Sequence, residues 1–160
     1  MKIFLKSGEA YFSDRPAVVT TVLGSCVAIT MFSPSRKIGA ICHGILPRQE
    51  EYSSKNRMYE GCFKYIDCAV QRMARKYDAK GITRSEVEVK IFGGAEQFLP
   101  DGKGVSCISV GSKNVEQARL SLGIEGFKII ACDTGGPLGR KMAFYTHTGD
   151  VILRRLGQGM

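Results

Sequence analysis

Cys26 and His43 are the pair of residues in this sequence best suited to nucleophilic chemistry. The chain between them is predicted to form a strand, a turn and a second strand. A turn centred between Pro34 and Ser35 places Cys26 and His43 directly opposite each other. Residues opposed in this way have Cβ atoms about 5 Å apart. An imidazole at that distance can take the thiol proton, and the thiolate is the nucleophilic form of cysteine.

The same residues also fit a purely structural role, with Cys26 as a small core residue and His43 as a hydrogen-bonded polar group. A shift of one residue in the strand register would separate them. The alternative nucleophile, Ser25, lacks the second glycine of a G-x-S-x-G elbow. Spacing alone leaves the catalytic and the structural interpretations open.

Length and cysteine placement limit the kind of protein. A chain of 160 residues is predicted to form one domain spanning residues 1–160. Its six cysteines are scattered and no secretory leader precedes them, so we expect reduced thiols in a cytoplasmic protein. No apolar run reaches the roughly 20 residues of a membrane span, and no short Cys/His spacing suggests a metal site. The glycine pairs match no nucleotide-binding fingerprint, so no cofactor is predicted.

A net charge of +8 raises the possibility of nucleic-acid binding. The Lys and Arg residues are spread along the chain, and the sequence contains no RRM signature, KH loop or zinc finger. We therefore predict an acidic partner rather than a nucleic acid. Ordinary solvated surface charge stays open as the alternative.

Hydrophobic periodicity predicts more strands than helices. Strands are expected over residues 18–23, 86–92 and three segments of the final third, 127–132, 142–146 and 151–156. One helix is expected from Cys62 to a stop at Gly81, and a second over 112–122 with a capping box formed by Asn114 and Gln117. This pattern favours an α+β layered fold over a parallel βαβ array.

Two specific motifs surround the candidates: Thr20-x-x-Leu23-Gly24-Ser25-Cys26-Val27-Ala28 and His43-x-x-Leu46-Pro47. These motifs closely resemble the CheD family of bacterial chemoreceptor glutamine deamidases. Further matches follow in order along nearly the whole chain: Tyr65-x-Asp67-x-Ala69, Phe92-Gly93-Gly94-Ala95, Gly111-x-x-Asn114, Asp133-x-Gly135-Gly136-x-x-Gly139-Arg140, Phe144 and Thr148-Gly149-x-Val151.

The resemblance implies a catalytic cysteine at Cys26, a histidine base at His43 and a supporting threonine at Thr20 that hydrogen-bonds the imidazole. It implies a single-domain layered α/β/β sandwich with mixed sheets and two main helices, similar to cysteine-dependent toxin deamidases. The expected activity is deamidation of glutamine side chains in methyl-accepting chemoreceptors, with release of ammonia. A CheC-family phosphatase is the expected regulator, and a non-catalytic receptor- or CheC-binding adaptor is the alternative function.

Two departures from the family pattern are visible. Gln97 stands where the family usually has methionine, and the charged segment 48–57 is longer than usual. The first bears on packing near Gly94 and the second on the edge of the substrate groove. Neither removes a predicted catalytic group.

Overall fold

The structure is a computed structural model that describes residues 1–49, 61–96 and 109–157. Gln97 and most of the charged segment 48–57 lie outside these residues. Within the described ranges the chain forms nine strands and two α-helices: β1 (Lys2–Phe4), β2 (Ala10–Ser13), β3 (Val18–Leu23), β4 (Val27–Ser33), β5 (Ile38–Gly44), α1 (Ile66–Ala79), β6 (Glu88–Gly93), α2 (Val110–Ile124), β7 (Ile129–Thr134), β8 (Arg140–Tyr145) and β9 (Val151–Arg155). No helix in these ranges is long and apolar enough to cross a membrane.

The strands form two mixed sheets. The outer sheet has the order β1-β3-β8-β9, and the central sheet has the order β2-β5-β4-β6-β7. Only the β1–β3 and β6–β7 pairs are parallel among the described strand pairs. Both helices pack on one face of the central sheet, and the outer sheet covers its other face. The predicted layered α/β/β fold is confirmed.

Two apolar clusters fill the spaces between the three layers. The larger contains the stripes of both helices and one face of the central sheet, and the smaller joins the two sheets through residues such as Val19, Ile41 and Phe144. Strands β4 and β5 are buried along their whole length because they lie between helices and outer sheet.

The β4–β5 hairpin differs from its predicted register. Ser33 pairs with Ile38, so the turn is centred one residue later than expected, and His43 lies opposite Ala28 rather than opposite Cys26. The prediction of a direct cross-strand pair is therefore wrong. Cys26 precedes Ala28 by two residues, and side chains two residues apart on a strand share a face. Cys26 and His43 are consequently diagonal neighbours on the face that meets the outer sheet.

Both predicted helices exist with different starts. The stripe of α1 buries Ile66, Val70, Met73 and Tyr77, as the periodicity predicted, but Cys62 lies in a separate 3-10 turn before an extended Tyr65.

Helix α2 begins two residues earlier than expected. It is capped by Ser109, whose hydroxyl accepts a hydrogen bond from the Ser112 N–H. The predicted capping box is wrong because Asn114 lies inside the helix, where its side chain is fully buried.

The cysteines are not all reduced thiols. Cys62 and Cys68 form a disulfide, with Cα atoms 5.6 Å apart, because the 3-10 turn folds back on the first turn of α1. Cys26, Cys42 and Cys132 are free, and Cys107 lies outside the described residues. The expectation of reduced cysteines is wrong for Cys62 and Cys68.

Candidate active site

Cys26 lies at the corner where the outer sheet passes into the central sheet. It follows the Gly24-Ser25 bend after β3, directly precedes β4, and its free thiol is partly exposed. The backbone on both sides is held from one segment: the Gly94 N–H donates to the Cys26 carbonyl at 2.8 Å, and the Ala95 N–H donates to the Gly24 carbonyl at 2.9 Å. The thiol therefore projects from a braced loop.

This brace depends on a glycine. Gly93 adopts a φ of +105°, and a Cβ at this position would collide with the Cys26 carbonyl oxygen. Only glycine combines that dihedral with such a close backbone approach. The glycine pair Gly93-Gly94 thus serves the geometry of the cysteine loop.

His43 lies near the end of β5 and is 4% exposed. Its backbone N–H donates to the Glu9 carbonyl at 3.0 Å, and its Nδ1 lies 2.7 Å from the Thr21 hydroxyl. The other ring nitrogen, Nε2, is buried and has no hydrogen-bond partner among the described residues. The predicted thiol–imidazole hydrogen bond is accordingly absent, as is common for catalytic pairs before substrate binds.

The hydrogen bonds of Thr21 determine which nitrogen of His43 carries the proton. A hydroxyl has one hydrogen to donate, and a carbonyl oxygen can only accept. The Thr21 hydroxyl donates to the Leu5 carbonyl at 2.8 Å, so it must accept from His43. Nδ1 is therefore protonated, and the lone pair is on Nε2, the nitrogen available to act as a base.

The predicted contact between Thr20 and His43 is not observed. Thr20 lies on the opposite face of β3, and its hydroxyl donates to the Ile3 carbonyl at 3.4 Å. Adjacent residues of a strand point to opposite faces, so Thr20 and Thr21 cannot both meet the imidazole. The contact belongs to Thr21.

Asn114 connects the cysteine loop to the histidine strand. Its Nδ2 donates to the carbonyls of Ser25 and Ile45, at 2.9 Å in each case. One acceptor immediately precedes Cys26 and the other lies two residues after His43. Helix α2 thereby fixes the spacing of the two candidate groups, and this buried position explains why a polar residue lies within the helix.

Arg140 supports the same region from the other side. Its side chain is 3% exposed and binds the Asp133 carboxylate at 3.0 Å, the Gly135 carbonyl at 2.7 Å and the Leu138 carbonyl at 3.1 Å. The turn that it holds binds the segment that braces Cys26, because the Gly135 N–H donates to the Gly93 carbonyl at 2.9 Å.

Burial shifts the pKa values of Cys26 and His43 in the directions that disfavour a thiolate–imidazolium ion pair. Partial burial raises the pKa of the Cys26 thiol, with a smaller opposing effect from its own backbone N–H. Burial lowers the pKa of His43. These two directions favour a neutral thiol and a neutral imidazole over a thiolate–imidazolium pair. By contrast, full burial raises the pKa of Cys42 to about 12, which makes that thiol inert.

The arrangement supplies a partly exposed nucleophile and a base with its lone pair free. Within the described ranges, no three His, Cys, Asp or Glu residues cluster as metal ligands. Nucleophilic attack assisted by general base catalysis is the chemistry that these groups fit.

Thr21 and Asn114 were missed at the level of sequence, although a signal existed for each. Thr21 alternates with the inward-facing Val19 and Leu23, and Asn114 precedes Ala118 by one helical turn on the buried stripe. A polar residue on an apolar face indicates a buried hydrogen bond.

The chain is similar to known sequences along nearly its whole length. The family model described as CheD chemotactic sensory transduction matches residues 45–155. The chain is 43% identical over 156 residues to the probable chemoreceptor glutamine deamidase CheD 2 of Geobacter sulfurreducens, covering 98% of this chain and 91% of that protein. It is 34% identical over 160 residues to the chemoreceptor glutamine deamidase CheD of Thermotoga maritima, covering 99% and 95%.

Solved structures share the fold at low identity. A Bacillus licheniformis hypothetical protein, YfiH, gives a TM-score of 0.50 with 13% identity over 78% of this chain and 50% of that one. YlmD of Geobacillus stearothermophilus gives 0.50 with 15% identity over 79% and 50%. This chain spans half the length of each, and the likeness concerns the fold alone.

The pKa directions make the pH dependence of Cys26 testable. Because burial raises its pKa, the thiolate fraction at neutral pH is smaller than in an ordinary cysteine peptide. We expect iodoacetamide to alkylate Cys26 more slowly than such a peptide at pH 7, with a rate that climbs through a midpoint above the usual value of about 8.5. Peptide mapping separates Cys26 from Cys132. A plateau near neutral pH would instead indicate a thiolate–imidazolium pair.

The tautomer assignment gives a second prediction. With two histidines in the chain, nitrogen NMR resolves each ring, and a His147→Gln variant assigns the signals. We expect a neutral His43 protonated on Nδ1, and Thr21→Val should shift its equilibrium toward the Nε2–H form because the acceptor is lost. Thr20→Val is the matched control and should leave the His43 signals unchanged. The reverse ranking of these variants would restore the role that the family resemblance implies for Thr20.

Proposed function

Because the chain belongs to the CheD family, we propose that it deamidates glutamine side chains of chemoreceptors, converting them to glutamate in bacterial chemotaxis adaptation. It is a protein-glutamine glutaminase formed by one domain of residues 1–160 and acting in the cytoplasm. The names of its relatives support this activity, and the geometry around Cys26 supports the chemistry.

The reaction is acyl transfer through Cys26. His43 Nε2 takes the thiol proton, and the sulfur attacks the side-chain amide carbon of glutamine. The tetrahedral intermediate collapses as the imidazolium returns the proton to the leaving nitrogen, which releases ammonia and leaves a thioester. Water, deprotonated by the same nitrogen, then attacks the thioester and yields glutamate and the free thiol.

The backbone supplies a candidate for oxyanion stabilisation. The N–H of Cys26 belongs to the same residue as the thiol and lies in the braced loop between β3 and β4. A donor at this position is suited to the negative oxygen that develops on the amide carbon. We assign this role to the Cys26 N–H.

The strongest support for the proposal comes from the two ring nitrogens of His43. The buried Nε2 of His43 lacks a partner among the described residues, while Nδ1 is held by Thr21. An unpaired buried polar atom costs about 1–3 kcal/mol. Accepting the Cys26 proton when substrate is bound gives His43 Nε2 a partner. A non-catalytic adaptor, the second candidate function, gives no role to this nitrogen.

The decisive experiment is mass spectrometry of a receptor cytoplasmic fragment after incubation with the wild type or a variant. We expect a gain of one glutamate per lost glutamine with the wild type, none with Cys26→Ala, and a loss of about 10²–10⁴-fold in rate with His43→Ala. Cys42→Ala is the matched control, because its buried thiol has no place in the reaction. Circular dichroism verifies folding in each case, and conversion by a well-folded Cys26→Ala protein would falsify the nucleophile assignment.

The second partner that we propose is a CheC-family phosphatase that competes with the receptor for the enzyme. Overlapping surfaces would raise the apparent KM for the receptor fragment without changing kcat at saturation. Steady-state deamidation at increasing concentrations of a cognate CheC measures this. Unchanged kinetics, despite simultaneous binding shown by sedimentation, would contradict competition.

A further inference from the structure

The Cys62–Cys68 disulfide closes a short ring, because its two cysteines are 6 positions apart in the sequence. The ring contains the 3-10 turn Cys62–Lys64, the extended Tyr65 and the beginning of α1. Within the described ranges, the other cysteines are free thiols. The reaction proposed above uses neither sulfur of the disulfide.

The disulfide ring is hydrogen-bonded to the segment that follows His43. The Lys64 carbonyl accepts from the Ile45 N–H at 2.8 Å and from the Leu46 N–H at 3.1 Å. In the other direction, the Ile66 N–H donates to the Leu46 carbonyl at 2.9 Å. The backbone that leaves the strand of the candidate base is therefore bonded to both sides of the ring.

The ring also packs against the strand itself. Ile66 lies so close to Gly44, the last residue of β5 and the neighbour of His43, that a Cβ at Gly44 would collide with the Ile66 Cγ1. The Ile45 carbonyl is held separately by Asn114 of α2. Two elements thus support the end of β5, α2 through Asn114 and the disulfide ring through Ile66.

The two sulfurs differ in access from outside. Cys62 is 3% exposed, whereas Cys68 is partly exposed, so a small dithiol can approach the disulfide from the Cys68 side. In the cytoplasm, where we place the enzyme, thiol pools keep most cysteines reduced, and the disulfides that do form are usually catalytic or redox-sensing. A disulfide that supports the base without entering the reaction fits the redox-sensing class.

We propose that the Cys62–Cys68 disulfide is a reversible modification site, which holds the end of β5 and His43 in place until a cytoplasmic dithiol reduces it. The effect on reaction rate rests on the proposed deamidase function, since it concerns the rate of that reaction. The structural effect, loosening of the segment after His43, is independent of that function.

The reduction is an ordinary thiol–disulfide exchange. One thiolate of the dithiol attacks the Cys68 sulfur, the S–S bond breaks, and Cys62 leaves as a thiolate that takes up a proton. The second thiol of the dithiol loses its proton and displaces Cys68 as a thiol. The protein gains two electrons and two protons, and the dithiol becomes a disulfide. The opened ring has more conformational freedom, so its hydrogen bonds to the segment after His43 open more often.

Hydrogen exchange tests the structural effect. The wild type is oxidised with glutathione disulfide and then reduced with dithiothreitol, and the Cys62→Ala/Cys68→Ala variant is treated in the same way. On reduction we expect the Ile45 and Leu46 amides of the wild type to exchange at least about tenfold faster, because the ring no longer restrains their acceptor. Exchange in the variant should not respond to either reagent, and amides of β9 should be unchanged in both proteins.

Two readouts at the site test the effect on the base. We expect the nitrogen NMR signals of the His43 ring to shift on reduction of the wild type and to stay constant in the variant. With a receptor cytoplasmic fragment, reduction should lower kcat of the wild type about tenfold with little change in KM, because the base rather than the substrate contacts is displaced. The variant controls for any effect of the reagents on Cys26, and Cys132→Ser should respond as the wild type does.

Several results would overturn the inference. These are failure of glutathione disulfide to link Cys62 with Cys68 by peptide mapping, unchanged exchange of Ile45 and Leu46 on reduction, and an equal response of kcat in the wild type and the variant. An active enzyme whose kcat ignores reduction would contradict the regulatory effect. If the wild type releases no glutamate in either state, the proposed function fails, and exchange and NMR still decide whether the disulfide holds His43.

Discussion

The Thr21 hydroxyl has one hydrogen to donate, and the acceptor of that hydrogen determines which ring nitrogen of His43 is protonated. Because it is donated to the Leu5 carbonyl, the oxygen can only accept from His43, and the imidazole must present its lone pair at Nε2. The contact also joins the two sheets, since Thr21 lies on β3 and His43 on β5. Packing of the two sheets therefore brings His43 the acceptor that favours its Nδ1–H tautomer.

The buried polar residues around the site perform a related task on the backbone. Asn114 holds the carbonyls of Ser25 and Ile45 at equal distances of 2.9 Å, and Arg140 holds the turn that pairs with Gly93. Each side chain adds hydrogen bonds to backbone near the thiol, and such bonds offset the cost of burying a charged or amide group. The precision of the site thus comes from polar groups supplied by α2 and β8.

Sequence patterns predicted the layers better than the contacts. The β-branched run of β3 and the alternation of β6 define strands by local chemistry, and the stripe from Ile66 to Tyr77 defines α1. The register of the β4–β5 hairpin depends on which residues close the turn, and Pro34 suggested a centre one residue too early. That error kept Cys26 and His43 on one face, which is why the pair was identified although its contact was not.

Thr21 is the opposite case. Simple alternation along β3 indicates that its side chain points inward, but the family resemblance favoured the neighbouring Thr20. The disulfide depended on how a 3-10 turn folds back on a helix, which cysteine spacing alone does not show.

The neutral resting state of Cys26 and His43 follows from where the fold places them. A thiolate formed before substrate arrives would lie in a region where burial disfavours charge, and an imidazolium beside it would face the same penalty. In the proposed reaction the substrate stabilises both charges, because its amide carbon accepts the sulfur and its oxygen takes up the negative charge. Since burial raises the pKa of Cys26, this partly exposed thiol has less thiolate at neutral pH than an ordinary cysteine and reacts more slowly with alkylating agents and oxidants.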